Sequence, residues 1–507
     1  MTTPIPCTEL EPADTTRKPQ DLPLVVESKA ALQPLDVFRR LAPLPGLLFL
    51  DSARHDAVLG RYSYLTADPF ETIRSRGGNI QITNAGRETA SLVGDPLQVL
   101  AQRLARYRQP TAPAGPLFQG GAAGLLSYDL CHHIERLPRP RFDEFTVPDL
   151  AVGLYDWVLA FDHAEHRSWI VSTGLPEREP SQRQDRARQR LDWLRTVLDG
   201  TGDSTSHLPA HTDHATTASP QPPNSLAPQY PLPGHTYVTS NFSPDGYVAA
   251  VRRAIEYIRA GDVFQVNLAQ RLLTPAETLS PADLYERLRL RNPAPMAAYA
   301  DLGDFVIASA SPERFLTVRQ GEVETRPIKG TRPRGVTVEE DLYRCEELRC
   351  SPKDRAENIM IVDLLRNDLG RVCRYGSINV AELCRVETFE FVHHLVSVVR
   401  GRLRDHLGPL DLVRAAFPGG SVTGAPKVRA IEIIAELEPT ARGAYCGSLG
   451  FIGFDGSMDL NLLIRTFTLG RGWIQFPVGG GIVADSDPHR EYAETLHKAE
   501  GLMRALL

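Results

Sequence analysis

No stretch of the 507 residues approaches 18 consecutive apolar positions, and the run "LAPLPGLLFL" is short and broken by proline. A membrane-spanning helix is therefore not expected. A basic excess is missing too: 56 Lys and Arg stand against 62 Asp and Glu, for a net charge of −6 and a pI near 6.2. That argues against a general nucleic-acid binder, while leaving room for a local basic pocket for a small anion. Cysteine is sparse. The seven (Cys7, Cys131, Cys345, Cys350, Cys373, Cys384 and Cys446) are odd in number and form no CxxC pair. Neither a disulfide framework nor a zinc knuckle fits them. Reduced thiols in a cytoplasmic protein are the expectation. The opening "MTTPIPCTELEPADTTRKP" has no apolar core segment, so residues 1–19 read as a flexible tail and not as a signal peptide.

What remains is globular in composition, with 42% hydrophobic and 23% charged residues. The length suits two or three domains. One segment stands apart. Residues 200–236, "GTGDSTSHLPAHTDHATTASPQPPNSLAPQYPLPGHT", are rich in Ser, Thr, Pro and His and poor in large apolar side chains. Such a stretch buries too little surface to offset its ordering entropy, so it reads as an exposed connection. Its His207, His211 and His214 read as solvated loop residues. The connection divides an N-terminal lobe, 20–199, from a denser region, 237–507. In the latter, Tyr247, Val251, Ile255 and Ile258 share a helix face, and the pattern turns to a strand at Gly261-Asp262. Strands and helices alternate irregularly after that, which points to a mixed chain with large sheets and not to a regular βαβ array.

Several stretches could carry chemistry. In "SPKDRAENIMIVDLLRNDLGRV", Asp354 and Glu357 are three apart and so share a helix face. In "REYAETLHKAEGLM", Glu491 and Glu494 repeat the spacing, with Lys498 one turn on. Either these are two solvated faces laced with ion pairs, or one glutamate from each binds Mg²⁺ while Asp354 and Glu491 hold its waters, since Mg²⁺ takes few protein ligands. "FPGGSVTGAPKVRAIEII" is a glycine-rich loop entering a helix with Pro426 in its first turn. Its free N–H groups could take a small anion, or it could be an ordinary tight turn. Gly479 to Gly481 permit close backbone approach, or a plain bulge. His393 and His394 are adjacent on a strand and so face opposite ways. One of the two should point inward, as a core histidine or as an acid/base group.

Read together, "SPERF", "RPIKGTRPRG", "DRAENIMIVDLLRNDLGRV", "FEFVHHLVS", "FPGGSVTGAPKVRAIEIIAELEP", "YCGSLGFIGFDGSMD", "LLIRTF" and "GGGIVADSDPHREYAET" resemble, in this order, the chorismate-utilising enzymes. They span nearly all of 237–507; "LLFLDSA" and "GGAAGLLSYDL" add weaker matches before it. The resemblance implies a two-lobed α+β fold with large, mostly antiparallel sheets flanked by helices. It implies chorismate as substrate and Mg²⁺ on Glu357 and Glu494, with Asp354 and Glu491 in its water shell. It implies a substrate site of Gln265, Gly330, Thr331, Tyr445, Arg465, Gly479, Gly481 and Lys498, with His394 and Glu313 as catalytic residues. Chorismate is a dianion, so cationic or N–H-rich walls are needed.

Two positions sort the branches of this family. Gln265 stands where the water-using branch carries a lysine base, which implies ammonia as nucleophile. Lys329 stands in "PIKGT", the pattern of the branch that aminates chorismate at C4; the anthranilate branch carries "PIAGT". The resemblance thus implies a covalent role for the Lys329 amine, with attack at C2 dividing one hard substitution into two, on the way to 4-aminobenzoate and folate. The alternatives are an anthranilate-forming enzyme and a non-catalytic chorismate-binding partner of a glutaminase. Arg326, Arg332 and Arg334 ring the lysine in sequence and are expected to lower its pKa. No cysteine sits on a G-x-C-x-G elbow, so ammonia is expected from a separate glutaminase subunit. Where the anthranilate branch binds tryptophan, this chain has Ser52 in "FLDSA" and Pro295 and Met296 in "NPAPMAA". An amino-acid pocket is possible there, with tryptophan control not expected.

Overall fold

The computed structural model describes residues 23–28, 32–54, 59–113, 115–199, 221–276, 279–389 and 392–507. The histidines at 207, 211 and 214 and the tail at 1–19 lie outside them.

Alternation of side chains along the strands builds two sheets packed face to face. In Trp157–Asp162, Val158 and Ala160 join the layer between the sheets, while Trp157, Leu159 and Phe161 face the helices outside. Gly121–Leu126 does the same in the other sheet: Ala123 and Leu125 point to the inter-sheet layer, Ala122 and Leu126 away from it. Such strands are buried on both faces, which is why they read as continuous apolar runs. Each fully buried Leu or Phe adds roughly 1.5–3 kcal/mol.

Among the described residues the first sheet has 13 strands and the second 12, and every ladder is antiparallel. Helices Pro34–Leu41, Pro180–Asp199, Pro281–Arg291 and Pro488–Leu506 cover the outer face of the first sheet. Helices Pro96–Arg106, Pro352–Gly370 and Pro409–Ala416 cover the second. The result is an α+β sandwich of four layers.

Both sheets draw strands from both sides of residues 200–220. Leu48–Asp51 pairs with Met296–Asp301, and Gly121–Leu126 pairs with Ser448–Gly453. Residues 221–236 are built into the first sheet: the Trp473 indole donates to the Gln221 carbonyl, and Tyr230–Leu232 forms an edge strand. The helix expected from Tyr247 onward is Pro244–Arg259, capped by Ser243 and ended before Gly261 at φ +86°. Strand Gln265–Pro275 follows it. Among the described residues no helix is long and apolar enough to cross a membrane, and the six described cysteines are free.

Candidate functional site

Strand Ile328–Pro333 lies beside Val392–Arg402 in the second sheet, and its register slips between Lys329 and Thr331. The slip is a bulge, and Gly330 takes φ +75° in it. A Cβ at 330 would stand 2.8 Å from Leu348 Cδ1 and 2.9 Å from Asp354 Cβ, so only glycine lets helix Pro352–Gly370 approach this closely. The cavity in front of the bulge, roughly 440 Å³, is floored by the glycine run of Trp473–Ile482 in the first sheet and walled by helices Pro352–Gly370 and Pro488–Leu506.

Lys329 points into this cavity and donates to the Ser421 carbonyl at 3.0 Å. Burial holds its pKa below the ordinary lysine value, against the pull of Glu313 and Glu357; Lys498 adds a little in the same downward direction. The expected ring of arginines is not the cause. Arg326 pairs with Glu387, Arg332 with Glu347 and Asp354, and Arg334 with Asp341. Their charges are met locally, so the depressed amine is a product of burial.

Glu313 is 6% exposed, accepts from the Ser421 hydroxyl at 3.0 Å, and is raised to about 7 by burial, with Lys329 opposing. A carboxyl that holds its proton to neutrality can both give and take one. The paired histidines part as the strand demands. His393 is buried and bridges Thr388 and Asp341 at 2.9 Å each. His394 lines the cavity, its Nδ1 2.9 Å from the Thr331 hydroxyl. Burial, with Arg465 and Arg54 nearby, lowers it to about 4, so it is a neutral imidazole at physiological pH.

The acidic wall comes from two helix N-termini. Ser351 caps the first helix by accepting from the Asp354 N–H, and Asp487 caps the second by accepting from His489 and Arg490. Asp354, Glu357, Glu491 and Glu494 all line the cavity. Glu357 is raised by burial, with Asp354 and Glu491 adding to it; Glu491 is raised by burial, with Glu494 adding. These carboxylates crowd one another, and a cation relieves such crowding. Their donors are all carboxylate oxygens, the kind a hard ion such as Mg²⁺ takes. Among the described residues no three acidic, histidine or cysteine side chains stand close enough to ligate one ion, so direct protein ligands would be few. Lys498 closes the wall, donating to the Gly479 carbonyl at 2.9 Å and to Glu494 at 2.7 Å.

Arg465, held at φ +54°, reaches the cavity with no carboxylate partner among the described residues, beside Tyr445. A cation left unmatched in a cavity suits an anionic substrate. Gly479 and Gly481 line the floor as expected. Gln265 does not: it is fully buried, its amide occupying the space in front of Gly481 where a side chain would be. The glycine-rich loop behaves differently from the helix-terminus site expected of it. Gly424-Ala425 pairs with Gln265–Val266, the helix starts only at Lys427, and its N-terminus is outside the cavity lining. The loop instead offers Ser421, whose hydroxyl and carbonyl join Glu313 to Lys329. Ser421 was missed from sequence, as were Asn267 and Lys353. Asn267 was within reach of strand alternation, two positions from Gln265; nothing in the pattern marked Ser421. Ser52, Pro295 and Met296 meet in a different cavity of roughly 210 Å³, where Tyr62, Tyr64 and the Arg314–Asp459 pair also lie.

Two antiparallel sheets thus enclose an amine, a carboxyl that titrates near neutrality, an acidic wall and an arginine without a carboxylate partner among the described residues, an arrangement of the kind an enzyme site requires. The sequence matches the chorismate binding enzyme family over residues 54–504, and the chain belongs to that family. It is 40% identical over 470 residues to aminodeoxychorismate synthase component 1 of Klebsiella aerogenes, covering 92% of this chain and 95% of that one. It is also 40% identical over 475 residues to anthranilate synthase component 1 of Thermus thermophilus, at 93% and 95% coverage. Its fold is similar to the crystal structure of anthranilate synthase component I from Streptococcus pneumoniae, with a TM-score of 0.71 at 31% identity, over 94% of this chain and 98% of that one.

Proposed function

We propose that this chain aminates chorismate at C4, forming 4-amino-4-deoxychorismate for 4-aminobenzoate and folate, with ammonia delivered by a separate glutaminase subunit. Overall similarity does not choose between the aminodeoxychorismate and anthranilate branches, because relatives from both match equally well. The observation that carries the choice is the Lys329 amine, standing in the cavity with burial favouring its neutral form and with Ser421 joining it to Glu313.

The neutral amine attacks C2. Both ring double bonds shift, from C1=C2 and C5=C6 to C1=C6 and C4=C5, the C4–O bond breaks, and the Glu313 carboxyl gives its proton to the departing hydroxyl, which leaves as water. Ammonia then bonds to C4, both double bonds shift back, and the C2–N bond breaks with its electron pair returning to Lys329. The Glu313 carboxylate takes the proton that the new ammonium sheds. Neutral His394 hydrogen-bonds within the site without adding charge, while Arg465 and Lys498 meet the substrate's carboxylates. Mg²⁺, held by Glu357 and Glu494 with Asp354 and Glu491 on its waters, would supply the remaining positive charge.

One assay tests the reading. The purified chain, given chorismate, Mg²⁺ and ammonium, should release a product with chorismate's hydroxyl replaced by an amine and its pyruvyl carbons retained. Glutamine alone should not serve. Release of anthranilate and pyruvate would place the chain in the other branch, and absence of turnover would make it a chorismate-binding partner.

A further inference from the structure

Two buried side-chain amides beside the cavity carry polar atoms with no partner among the described residues. Gln265 and Asn267 are two apart on Gln265–Pro275, so their side chains share a face, and Gly481 stands directly across from Asn267. Gln265 is fully buried and Asn267 is 8% exposed, yet among the described residues neither Asn267 Oδ1 nor either polar atom of the Gln265 side chain has a hydrogen-bond partner. An orphaned buried polar group is costly, so it calls for something that completes it. The absence of a side chain at 481 gives the Gln265 amide its place: a Cβ there would lie 2.5 Å from Nε2. Asn267 lines the cavity, and its Nδ2 lies 3.5 Å from the Ser421 carbonyl that also accepts from Lys329 at 3.0 Å. The amide nitrogen of Asn267 thus shares the Ser421 carbonyl with the amine, and the unmatched oxygen belongs to the same cavity-lining side chain.

Building on the C4-amination reading, we propose that Asn267 Oδ1, with the unmatched Gln265 amide two positions away on the same strand face, seats the ammonia that attacks C4. Ammonia carries three N–H bonds and one lone pair. Oxygens that accept from its N–H groups leave the lone pair free for carbon. Water in the same place could donate to the same oxygens, but an amide cannot remove its proton, so the seat does not favour hydrolysis. Asn267 is on this account a specificity-determining residue for the nucleophile.

The test separates ammonium from chorismate. Asn267→Leu keeps the approximate shape and removes the acceptor. It should raise the KM for ammonium about tenfold, the effect of one lost hydrogen bond, with the KM for chorismate within about twofold. Asn267→Asp keeps the oxygen, so its ammonium KM should stay at or below the wild-type value even if kcat falls. An unchanged ammonium KM in the leucine variant, or a matching rise in both variants, overturns the proposal; if the leucine variant does not fold, the aspartate result decides alone. A third measurement isolates the reading beneath it. Without ammonia, wild type and both variants should accumulate the same Lys329 adduct, heavier by chorismate minus water. Its absence from the wild type would overturn the covalent reading itself, whatever the ammonium KM does.

Discussion

Lys329 and Glu313 are joined through one residue: Ser421 accepts the lysine's hydrogen bond on its carbonyl and donates its hydroxyl to the glutamate, each at 3.0 Å. The amine that would attack and the carboxyl that would move the proton are therefore positioned by the same loop. The two also counter each other electrostatically, since Lys329 pulls the Glu313 pKa down and Glu313 pulls the lysine's up. Burial outweighs both, leaving a carboxyl that titrates at about 7 beside an amine held below the ordinary lysine pKa.

Covalent attack by Lys329 makes a sharp distinction between two substitutions. Lys329→Arg keeps the charge but cannot become a nucleophile, because guanidinium stays protonated. It should lose the C4-amino product by about 10³-fold or more and form no adduct, as read by rapid quench and mass. Lys329→Ala should also lack the adduct and could release the 2-amino isomer or anthranilate, with ammonia attacking C2 directly. Near-normal C4-amino product from the arginine variant would reduce Lys329 to a cation holding a carboxylate.

Adduct formation should follow the protonation of Glu313. In the proposed steps its carboxyl would carry the proton that releases the hydroxyl, and it titrates at about 7. The single-turnover rate of adduct formation should therefore fall as pH rises through about 7. Glu313→Gln should slow the step by about 10²-fold or more and remove that titration. A wild-type profile flat across neutrality would count against this role.

The same group leaves a mark on stability, and His394 leaves the opposite one. Glu313 rises from its ordinary 4.5 to about 7 in the folded chain, so the folded state binds more protons between those values and stability falls as pH rises through that window. His394 drops from 6.5 to about 4, so the unfolded state binds more protons there and stability falls as pH drops from 6.5 to 4. In melting curves taken across pH, Glu313→Gln should gain on the wild type above pH 7, and His394→Gln should gain on it near pH 4.

Metal dependence should be separable from folding. Glu357→Gln replaces a carboxylate crowded by Asp354 and Glu491 with a neutral amide, so its melting temperature should equal or exceed that of the wild type. Its turnover at limiting Mg²⁺ should drop about 10²-fold, with weaker Mg²⁺ binding by titration calorimetry. Glu494→Gln should lose activity likewise. Normal turnover by both variants at limiting Mg²⁺ would remove the ion from these residues.

Gly330→Ala tests the bulge. The substitution meets Leu348 and Asp354 and is strained at φ +75°. A loss of roughly 2 kcal/mol is expected in denaturant melts, with turnover reduced because Lys329 and Asp354 both move.

Much of this site was legible because its parts are local. Helix spacing put Asp354 with Glu357 and Glu491 with Glu494, and strand alternation turned His393 and His394 apart. What stayed hidden depends on distant partners. Ser421 and Glu313 are 108 positions apart, and no local pattern joins them. The arginines around Lys329 misled for a related reason: nearness in sequence suggested a shared field, but Glu347, Asp354, Asp341 and Glu387 answer each charge from elements that sequence alone does not bring there. For the fold, the strands and their burial could be read, whereas the pairing of Leu48–Asp51 with Met296–Asp301 across the connection could not.

The strand order of the first sheet bears on how the chain is made. Thr466–Gly470 and Trp473–Ile482 come after every other strand of that sheet in sequence, yet they sit in its middle, between Val306–Ser311 and Gln265–Pro275. During synthesis the earlier strands must wait as two half-sheets, each with an open hydrogen-bonding edge at the gap the late pair will fill. Such edges invite pairing with other nascent chains. The molecule is therefore most exposed to aggregation just before its C-terminal strands emerge, and a break near residue 460 would split the sheet rather than shorten it.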